Sequence, residues 1–136
     1  MATMGNIDMS KLAPRLRSFT GVHVPSAAAQ ATITIAAPGA GKKNVCTMLS
    51  VTAMATGAGT AATLLFELID GATGGAAKLW TGRIGFSASP GVSWPASLSD
   101  IWIEGSENTA MTLEVTTTPG TAISATVSIA GVIINV

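Results

Sequence analysis

The sequence has little charge, one cysteine, one histidine and no tyrosine. Only 10% of its 136 residues are Asp, Glu, Lys or Arg, and seven basic residues balance seven acidic ones. An average soluble domain carries about 25% charged residues. Because a neutral, sparsely charged surface lacks the positive field that nucleic-acid binding requires, we expect no nucleic-acid partner. A protein with little net charge tends to associate, so we expect it to function within an assembly.

The scarcity of reactive side chains excludes the common catalytic sites. Cys46 is the single cysteine and His23 the single histidine, so an intrachain disulfide is impossible and zinc-ligand spacing is absent. The sequence also lacks a G-x-S-x-G nucleophile motif. We predict that the protein is not an enzyme and has no cofactor, no metal and no catalytic residue, and that Cys46 is buried and inert.

One segment nearly matches a phosphate-binding loop. Residues 36–43, AAPGAGKK, follow a predicted strand, but Lys43 stands where the motif needs a Ser or Thr hydroxyl for magnesium. The motif also needs a helix next, whereas residues 44–55 alternate like a strand. We therefore interpret this segment as a glycine-rich hairpin turn with two solvated lysines.

Long hydrophobic runs are missing too. The longest apolar stretch, residues 123–136, contains serines and a threonine and is shorter than the ~20 residues that a spanning helix requires. Lys11, Arg15 and Arg17 interrupt the N-terminal region where a signal peptide would be apolar. We expect neither a signal peptide nor a membrane partner.

What the sequence does contain is the alternation of β-strands, most clearly in residues 62–87. Two sets of alternating residues flank a Gly-rich reversal at residues 70–77: Leu64, Phe66 and Leu68 before it, and Trp80, Ile84 and Phe86 after it. We predict a hairpin here, at the centre of an antiparallel domain.

Further strands are predicted on either side of this hairpin. They cover residues 31–36, 44–55, 100–105, 109–117 and 121–136, and residues 88–99 are expected as a loop with at most a brief pairing at residues 92–94. Seven or eight strands without a convincing helix predict an all-β, antiparallel two-sheet sandwich of jelly-roll type. An immunoglobulin-like topology is the alternative, because strand order does not follow from one sequence.

The two ends of the chain differ from this body. Residues 1–25 show no clean period, and we interpret them as an extended N-terminal arm that precedes a sandwich domain at residues 26–136. Near the C-terminus, Val132, Ile133 and Ile134 are apolar on both faces of the last strand. Either that strand is central and covered on both sides, or its outer face meets another chain.

A few exposed positions are candidates for ligand contact. Trp102 is predicted on the face opposite Ile101 and Ile103, and Trp94 lies in the preceding loop, so the two could form a sugar-stacking platform or a protein anchor. Burial at a sheet edge or under a loop is the favoured reading for both. The nearby Asp100, Glu104 and Glu107 are interpreted as solvated charges, with an ion site or a contact for a basic partner as the less favoured reading.

Several local patterns resemble the small β-sandwich structural proteins of tailed bacteriophages, in particular capsid cement or decoration proteins. The resemblance covers residues 31–136. It rests on the strand start at residues 37–47 (APGAGKKNVCT), the segment at residues 68–80 (LIDGATGGAAKLW), the Thr/Ala/Gly-rich body and the Ala/Ser/Ile-rich closing strand. It implies a jelly-roll-like subunit, assembled in the host cytoplasm into the virion. There it would bind the capsid exterior and cement neighbouring major capsid proteins against internal DNA pressure.

This resemblance leads to specific contact hypotheses. The partners would be the major capsid protein and other copies of the chain, as a homodimer or homotrimer. The residues that we assign to the capsid contact in the arm are Leu12, Arg15, Leu16 and Phe19, and those that we assign to the subunit interface are Ile133 and Ile134. Deleting residues 1–25 is expected to leave a folded β domain that no longer binds the shell. The alternative function is a glycan- or receptor-binding module of a phage head fibre or tail that uses Trp94 and Trp102.

Overall fold

The computed structural model describes residues 17–25, 29–55, 62–86, 93–116 and 123–136, and these ranges contain nine β-strands and no helix. The strands are β1 (Arg17–His23), β2 (Thr32–Ile35), β3 (Lys42–Ala55), β4 (Ala62–Asp70), β5 (Lys78–Phe86), β6 (Ser93–Leu98), β7 (Ile103–Glu104), β8 (Met111–Val115) and β9 (Ile123–Asn135). The predicted all-β class is confirmed, with slightly more strands than the seven or eight expected.

The strands form two antiparallel sheets that face each other. Sheet A has the order β1-β9-β3-β6, with the short β7 also pairing with β3, and sheet B has the order β2-β8-β4-β5. With β7 set aside, the first strand pairs with the last, the second with the second-last, β3 with β6 and β4 with β5. A single antiparallel ribbon wound into two sheets in this way is a jelly roll, so the immunoglobulin-like alternative does not apply.

The core lies between the two sheets and follows the alternation of the sequence. Along β9 every second residue from Ile123 to Ile129 is buried, and β8 contributes Met111, Leu113 and Val115 from the opposite sheet. The Phe66 and Trp80 rings pack at a centroid distance of 5.2 Å. Each large apolar side chain buried in this layer contributes about 1.5–3 kcal/mol of transfer free energy, which holds the sheets together.

A β-bulge changes the faces of β3. The pairing of β3 with β9 shifts between Cys46 and Met48, so Thr47 is the extra residue. One extra residue in a strand moves each side chain before the bulge to the face opposite the one that simple alternation would give it. Cys46 therefore joins the core cluster with Leu49, whereas Val45 takes an outward register position although it is fully buried. Val45 and Leu49 therefore lie on opposite faces of β3 although they are four residues apart.

The hairpin at residues 62–87 forms as β4 and β5, but it lies to one side of the fold. β4 is an inner strand of sheet B between β8 and β5, and β5 is the last strand of that sheet. Gly82 of β5 leaves room for the rings of Phe66 and Trp80, because a Cβ there would approach them to about 2.6 Å. The expectation of a central hairpin was therefore wrong, since the closing strand β9 takes the middle of sheet A.

Part of the predicted arm belongs to the sandwich. Residues 17–23 form β1, which pairs with β9 over its whole length from Arg17↔Ile133 to His23↔Val127. Phe19 packs against the core cluster and beside Gly131, where a side chain would meet its ring. The sheet therefore includes residues that we had assigned to the arm. Residues 1–16 lie outside the described part of the chain.

The region between β5 and β8 also differs from the expectation. Residues 93–98, predicted as a loop, form β6, which pairs with β3 and carries Pro95. Proline is tolerated in a strand at the edge of a sheet. The strand predicted at residues 100–105 shrinks to Ile103–Glu104, because Asp100 adopts a positive φ of 56° that ends the extended conformation.

Candidate interaction surface

The outer face of sheet A is a surface built from β1, β9, β3 and β6, with the short β7 beside β3. The register places the following residues on this face: Ser18, Thr20 and Val22 of β1; Ser124, Thr126, Ser128, Ala130, Val132 and Ile134 of β9; Lys43, Val45, Met48, Ser50, Thr52 and Met54 of β3; and Pro95 and Ser97 of β6. Glu104 of β7 continues it opposite Val45. Most of these side chains are small, so the surface has few protrusions.

Exposed apolar side chains occur on and beside this face. Val22 is 62% exposed, Met48 39% and Met54 40%, and Trp102 is 58% exposed next to β7. Single exposed apolar residues are ordinary on soluble proteins. Here several exposed apolar side chains surround a group of Ser and Thr hydroxyls, and this combination suits contact with another protein.

The charges on this face cancel. Lys43 Nζ lies 3.4 Å from Glu104 Oε2, and these two are the only charged residues among those the register places there. The Trp102 indole donates a hydrogen bond to Glu104 Oε1 at 3.0 Å. This hydrogen bond first, and Lys43 second, lower the pKa of Glu104 below its ordinary value. Trp102, for which burial was the favoured reading, is thus exposed and held in place by a carboxylate on the same surface.

Ile133 and Ile134, the proposed subunit interface, point to opposite sides of β9. Ile134 lies opposite Lys43 on the outer face of sheet A, whereas Ile133 pairs with Asn44 and Arg17 and faces inward. Both are partly exposed, because β9 extends beyond the buried core here. The strand itself is central, flanked by β1 and β3. Only Ile134 therefore remains a candidate for contact through the outer face.

The four arm residues have different outcomes. Phe19 packs inward against the core, so its ring is a stabilising contact of the sandwich rather than a free contact for a capsid. Leu12, Arg15 and Leu16 lie outside the described residues, and their assignment as capsid contacts stays a prediction.

The two candidate tryptophans are far apart along sheet A. The Trp94 backbone pairs with Ala53, and the Ile103 backbone, next to Trp102, pairs with Cys46. At about 3.3 Å per residue, these positions on β3 are about 20 Å apart. One sugar ring would therefore not contact both. The Trp94 side chain lies outside what the structure describes.

Sheet B carries a polar cluster that the sequence analysis missed. Glu67 of β4 and Glu114 of β8 are direct cross-strand neighbours, and both are buried. Lys78 forms an ion pair with Glu67, and Gly74 N donates to both carboxylate oxygens of Glu114 at 3.2–3.3 Å. The connection at residues 71–77 thus covers the outer face of sheet B. Alternation places both glutamates on the face opposite the core residues of their strands, and no local signal in the sequence indicates that a loop covers them.

The glycine-rich segment at residues 36–43 contains a turn, but not the hairpin turn that was expected, because it connects β2 of sheet B to β3 of sheet A. Gly41 N donates to Glu107 Oε1 at 2.6 Å, and Gly39 N donates to Asn108 Oδ1 at 3.1 Å. Lys43 continues into β3 rather than into a helix. Glu107, interpreted as a solvated charge, therefore also anchors this turn.

A cleft opens where the edges of the two sheets meet at β5 and β6. Its volume is about 400 Å³. Its walls combine core residues of both sheets with the half-buried Trp80. The lining includes Leu49, Phe66, Trp80, Gly82, Ala96 and Leu98. The cleft is mostly apolar and gives access to the core from one side of the molecule.

Cys46 is buried, as predicted, and chemically protected. Its thiol donates to Met48 O at 3.4 Å, and burial raises the pKa of Cys46 to about 11. A thiol that stays protonated is a poor nucleophile and a poor metal ligand, which agrees with the expectation that Cys46 is inert.

Comparisons with known proteins give no family assignment: no family model matches the chain, and no curated protein matches it significantly. Among the described residues, no group of three or more His, Cys, Asp or Glu side chains is arranged to hold a metal ion. The described part also contains no helix long and apolar enough to cross a membrane.

Proposed function

We propose that the protein is a structural subunit of a tailed-phage virion that binds the capsid exterior and cements neighbouring major capsid proteins. The observation that carries this proposal is the outer face of sheet A, with exposed apolar side chains, many hydroxyls and a single ion pair. Burying such a face costs little, because few charges lose their hydration. The jelly roll agrees with the fold that the resemblance to capsid cement proteins implies.

The size of the face supports the same function. β9 has 13 residues and sheet A is four strands wide. At about 3.4 Å per residue and 4.8 Å between strands, the face measures at most about 800 Å². A standard protein interface buries about 800 Å² per partner, so one copy offers enough area to bind where two capsid proteins meet. Repetition over a shell multiplies the effect through avidity.

Co-sedimentation with capsids tests this function. Capsids of the phage or prophage that carries the gene, purified without the protein, are mixed with increasing amounts of it and pelleted. We expect saturable binding at a fixed ratio to the major capsid protein. Ser50→Arg, in the middle of the outer face, should weaken binding at least tenfold.

The matched control is Thr63→Arg, which adds the same charge at an exposed position of sheet B. It should bind like the unaltered protein. Capsids that pellet without the protein at any concentration would rule out the proposal. An equal loss of capsid binding in both variants would show that the contact is not specific to sheet A.

The second candidate function is a glycan- or receptor-binding module of a head fibre or tail. The specific observation in its favour is Trp102, which is 58% exposed and oriented by its hydrogen bond to Glu104. An exposed indole beside a carboxylate is a common arrangement for stacking a sugar ring and binding its hydroxyls. Because Trp94 is about 20 Å away along β3, we assign this contact to Trp102 alone.

A glycan array separates the two candidates. Binding of a saccharide that is lost in Trp102→Ala and kept in Trp94→Ala would favour the fibre or tail module. No binding on the array, together with saturable capsid binding, would favour the cement protein.

A further inference from the structure

The two sides of the sandwich are closed differently. On the β1–β2 side, His23 Nδ1 accepts a hydrogen bond from Thr32 N at 3.0 Å. Gly21 also lies so close to Ile33 that a Cβ would approach its side chain to 2.7 Å. On the β5–β6 side the sheets separate, and the cleft of about 400 Å³ reaches Leu49 and Phe66 of the core. Within the described residues, the second side is therefore the one left incompletely covered.

The edge strands also differ in the features that block pairing with another chain. β2 has only four residues, β6 contains Pro95, and β1 carries Arg17 and His23 at inward register positions. Short strands, proline and inward charges are the usual protection of sheet edges. β5 carries Lys78, Arg83 and a register irregularity at Leu79, but its stretch from Trp80 to Phe86 is regular and free of proline, and no described strand pairs with its outer edge.

We propose that β5 is a dimerisation edge, at which a second copy of the chain pairs through its own β5 in the antiparallel direction. Gly82 is the midpoint of Lys78–Phe86, so a two-fold axis there gives the longest overlap of the two strands. In this register Trp80 lies opposite Ile84 of the second copy, and the two clefts become continuous. The sheets B of both copies form one eight-stranded sheet.

The charges fit this register. Arg83 lies opposite Thr81 of the second copy rather than opposite another arginine. Lys78 lies opposite Phe86, and its ammonium group is already paired with Glu67 of its own sheet. Like charges directly opposite each other would destabilise the strand pair, and the register at Gly82 avoids them.

The buried area sets the expected strength. β5 is about 30 Å long, and two packed sheets with their side chains are about 20 Å thick, so each copy contributes about 600 Å². The total of about 1,200 Å² lies at the lower limit of stable interfaces. We therefore expect a dimer with a dissociation constant in the micromolar range. Because a two-fold contact uses the same patch on both copies, it closes at the dimer and forms no trimer.

Sedimentation equilibrium of the full chain, from roughly 1 to 300 µM to bracket a micromolar constant, measures this association. Thr81→Arg places a guanidinium group opposite Arg83 of the second copy, and the two-fold axis repeats this repulsive pair. The substitution should therefore raise the dissociation constant roughly 2- to 30-fold. The same change places a cation opposite Glu67 within its own sheet, so it should not unfold the protein. Thermal unfolding at low concentration checks this.

A residue swap makes the test specific to the register. The double variant Thr81→Arg with Arg83→Thr has the composition and net charge of the unaltered protein, and its guanidinium again lies opposite a threonine of the second copy. It should restore the dissociation constant to within about twofold. Thr20→Arg, on the exposed face of the edge strand β1, is the control and should leave it unchanged.

Hydrogen exchange supplies an independent measurement. Amides of Lys78–Phe86 should become more protected as the concentration rises through the dissociation constant, whereas those of β1 should not change. A monomer over the whole range, a trimer, loss of association in Thr20→Arg, or a swap variant that associates as poorly as Thr81→Arg would each overturn the proposal.

Discussion

Glu67 of β4 and Glu114 of β8 lie directly opposite each other on sheet B, and both are buried beneath the connection that follows β4. Lys78 is paired with Glu67, and among the described residues no cation is paired with Glu114. Of two neighbouring carboxylates in a partly dry environment, one therefore has a cationic partner and the other does not. The arrangement is electrostatically unbalanced, because like charges that face each other across a strand pair destabilise it.

Glu114→Gln should therefore stabilise the protein. The amide oxygen still accepts from Gly74 N, while the charge next to Glu67 is removed, so we expect the free energy of unfolding at pH 7 to rise by roughly 0.5 kcal/mol. Urea unfolding measures it. The matched change Glu67→Gln breaks the ion pair with Lys78 and should lower the same free energy by about 1 kcal/mol. Equal effects of the two substitutions would contradict this interpretation.

Gly82→Ala should destabilise the protein, whereas Gly85→Ala should not. A Cβ at Gly82 would press on the Phe66 and Trp80 rings, and we expect overpacking to cost about 1–3 kcal/mol of unfolding free energy. At Gly85 the nearest atom is Thr63 Oγ1 at 3.9 Å, so alanine should be neutral or stabilise by about 0.5 kcal/mol. Unfolding curves at low protein concentration compare them. A tolerated Gly82→Ala would mean that the rings do not occupy this space.

Cys46 should make the stability depend on alkaline pH. The folded state raises the pKa of the thiol from 9.0 to about 11, so it disfavours the thiolate. The corresponding stability is complete below the pKa of the unfolded chain and is lost as the pH rises from 9.0 towards about 11. The loss amounts to roughly 2 kcal/mol.

Urea unfolding at pH 8 and at pH 11 measures this loss, and Cys46→Ala should show a smaller decrease between the two. In the same way, the native thiol should react with a disulfide reagent only when the protein unfolds. Rapid labelling of the folded protein at pH 8 would show that Cys46 is accessible.

Two truncations should distinguish the contribution of β1 to stability from that of the residues that precede it. Removing residues 1–16 leaves every described strand intact, so the unfolding transition should stay cooperative. Removing residues 1–25 deletes β1, exposes the edge of β9 and takes away Phe19 from the core. We expect a loss of roughly 3 kcal/mol or more, the usual cost of deleting a buried aromatic side chain. This replaces the expectation that the domain stays folded without its first 25 residues. Equal stability of the two truncated proteins would contradict the role of β1.

Alternation along single strands predicted much of this fold. The strands near residues 31–36, 44–55, 62–87 and 109–117 form close to where they were expected, and Cys46 is buried. Such predictions succeed because successive side chains of a strand leave opposite faces, which is a local property of the backbone. The low charge and the missing reactive groups were likewise visible in the composition alone.

The sequence by itself thus determined the all-β class, most of the strands and the sparse charge of the surface. Only the tertiary structure decided that β1 joins sheet A, that Thr47 reverses the faces of β3, and that Ile133 and Ile134 point apart. It also decided that Glu67 and Glu114 are covered, and that the outer edge of β5 pairs with no described strand. The physical reason is that pairing partners, bulges and covering loops depend on contacts between residues far apart in the chain, which local periodicity does not encode.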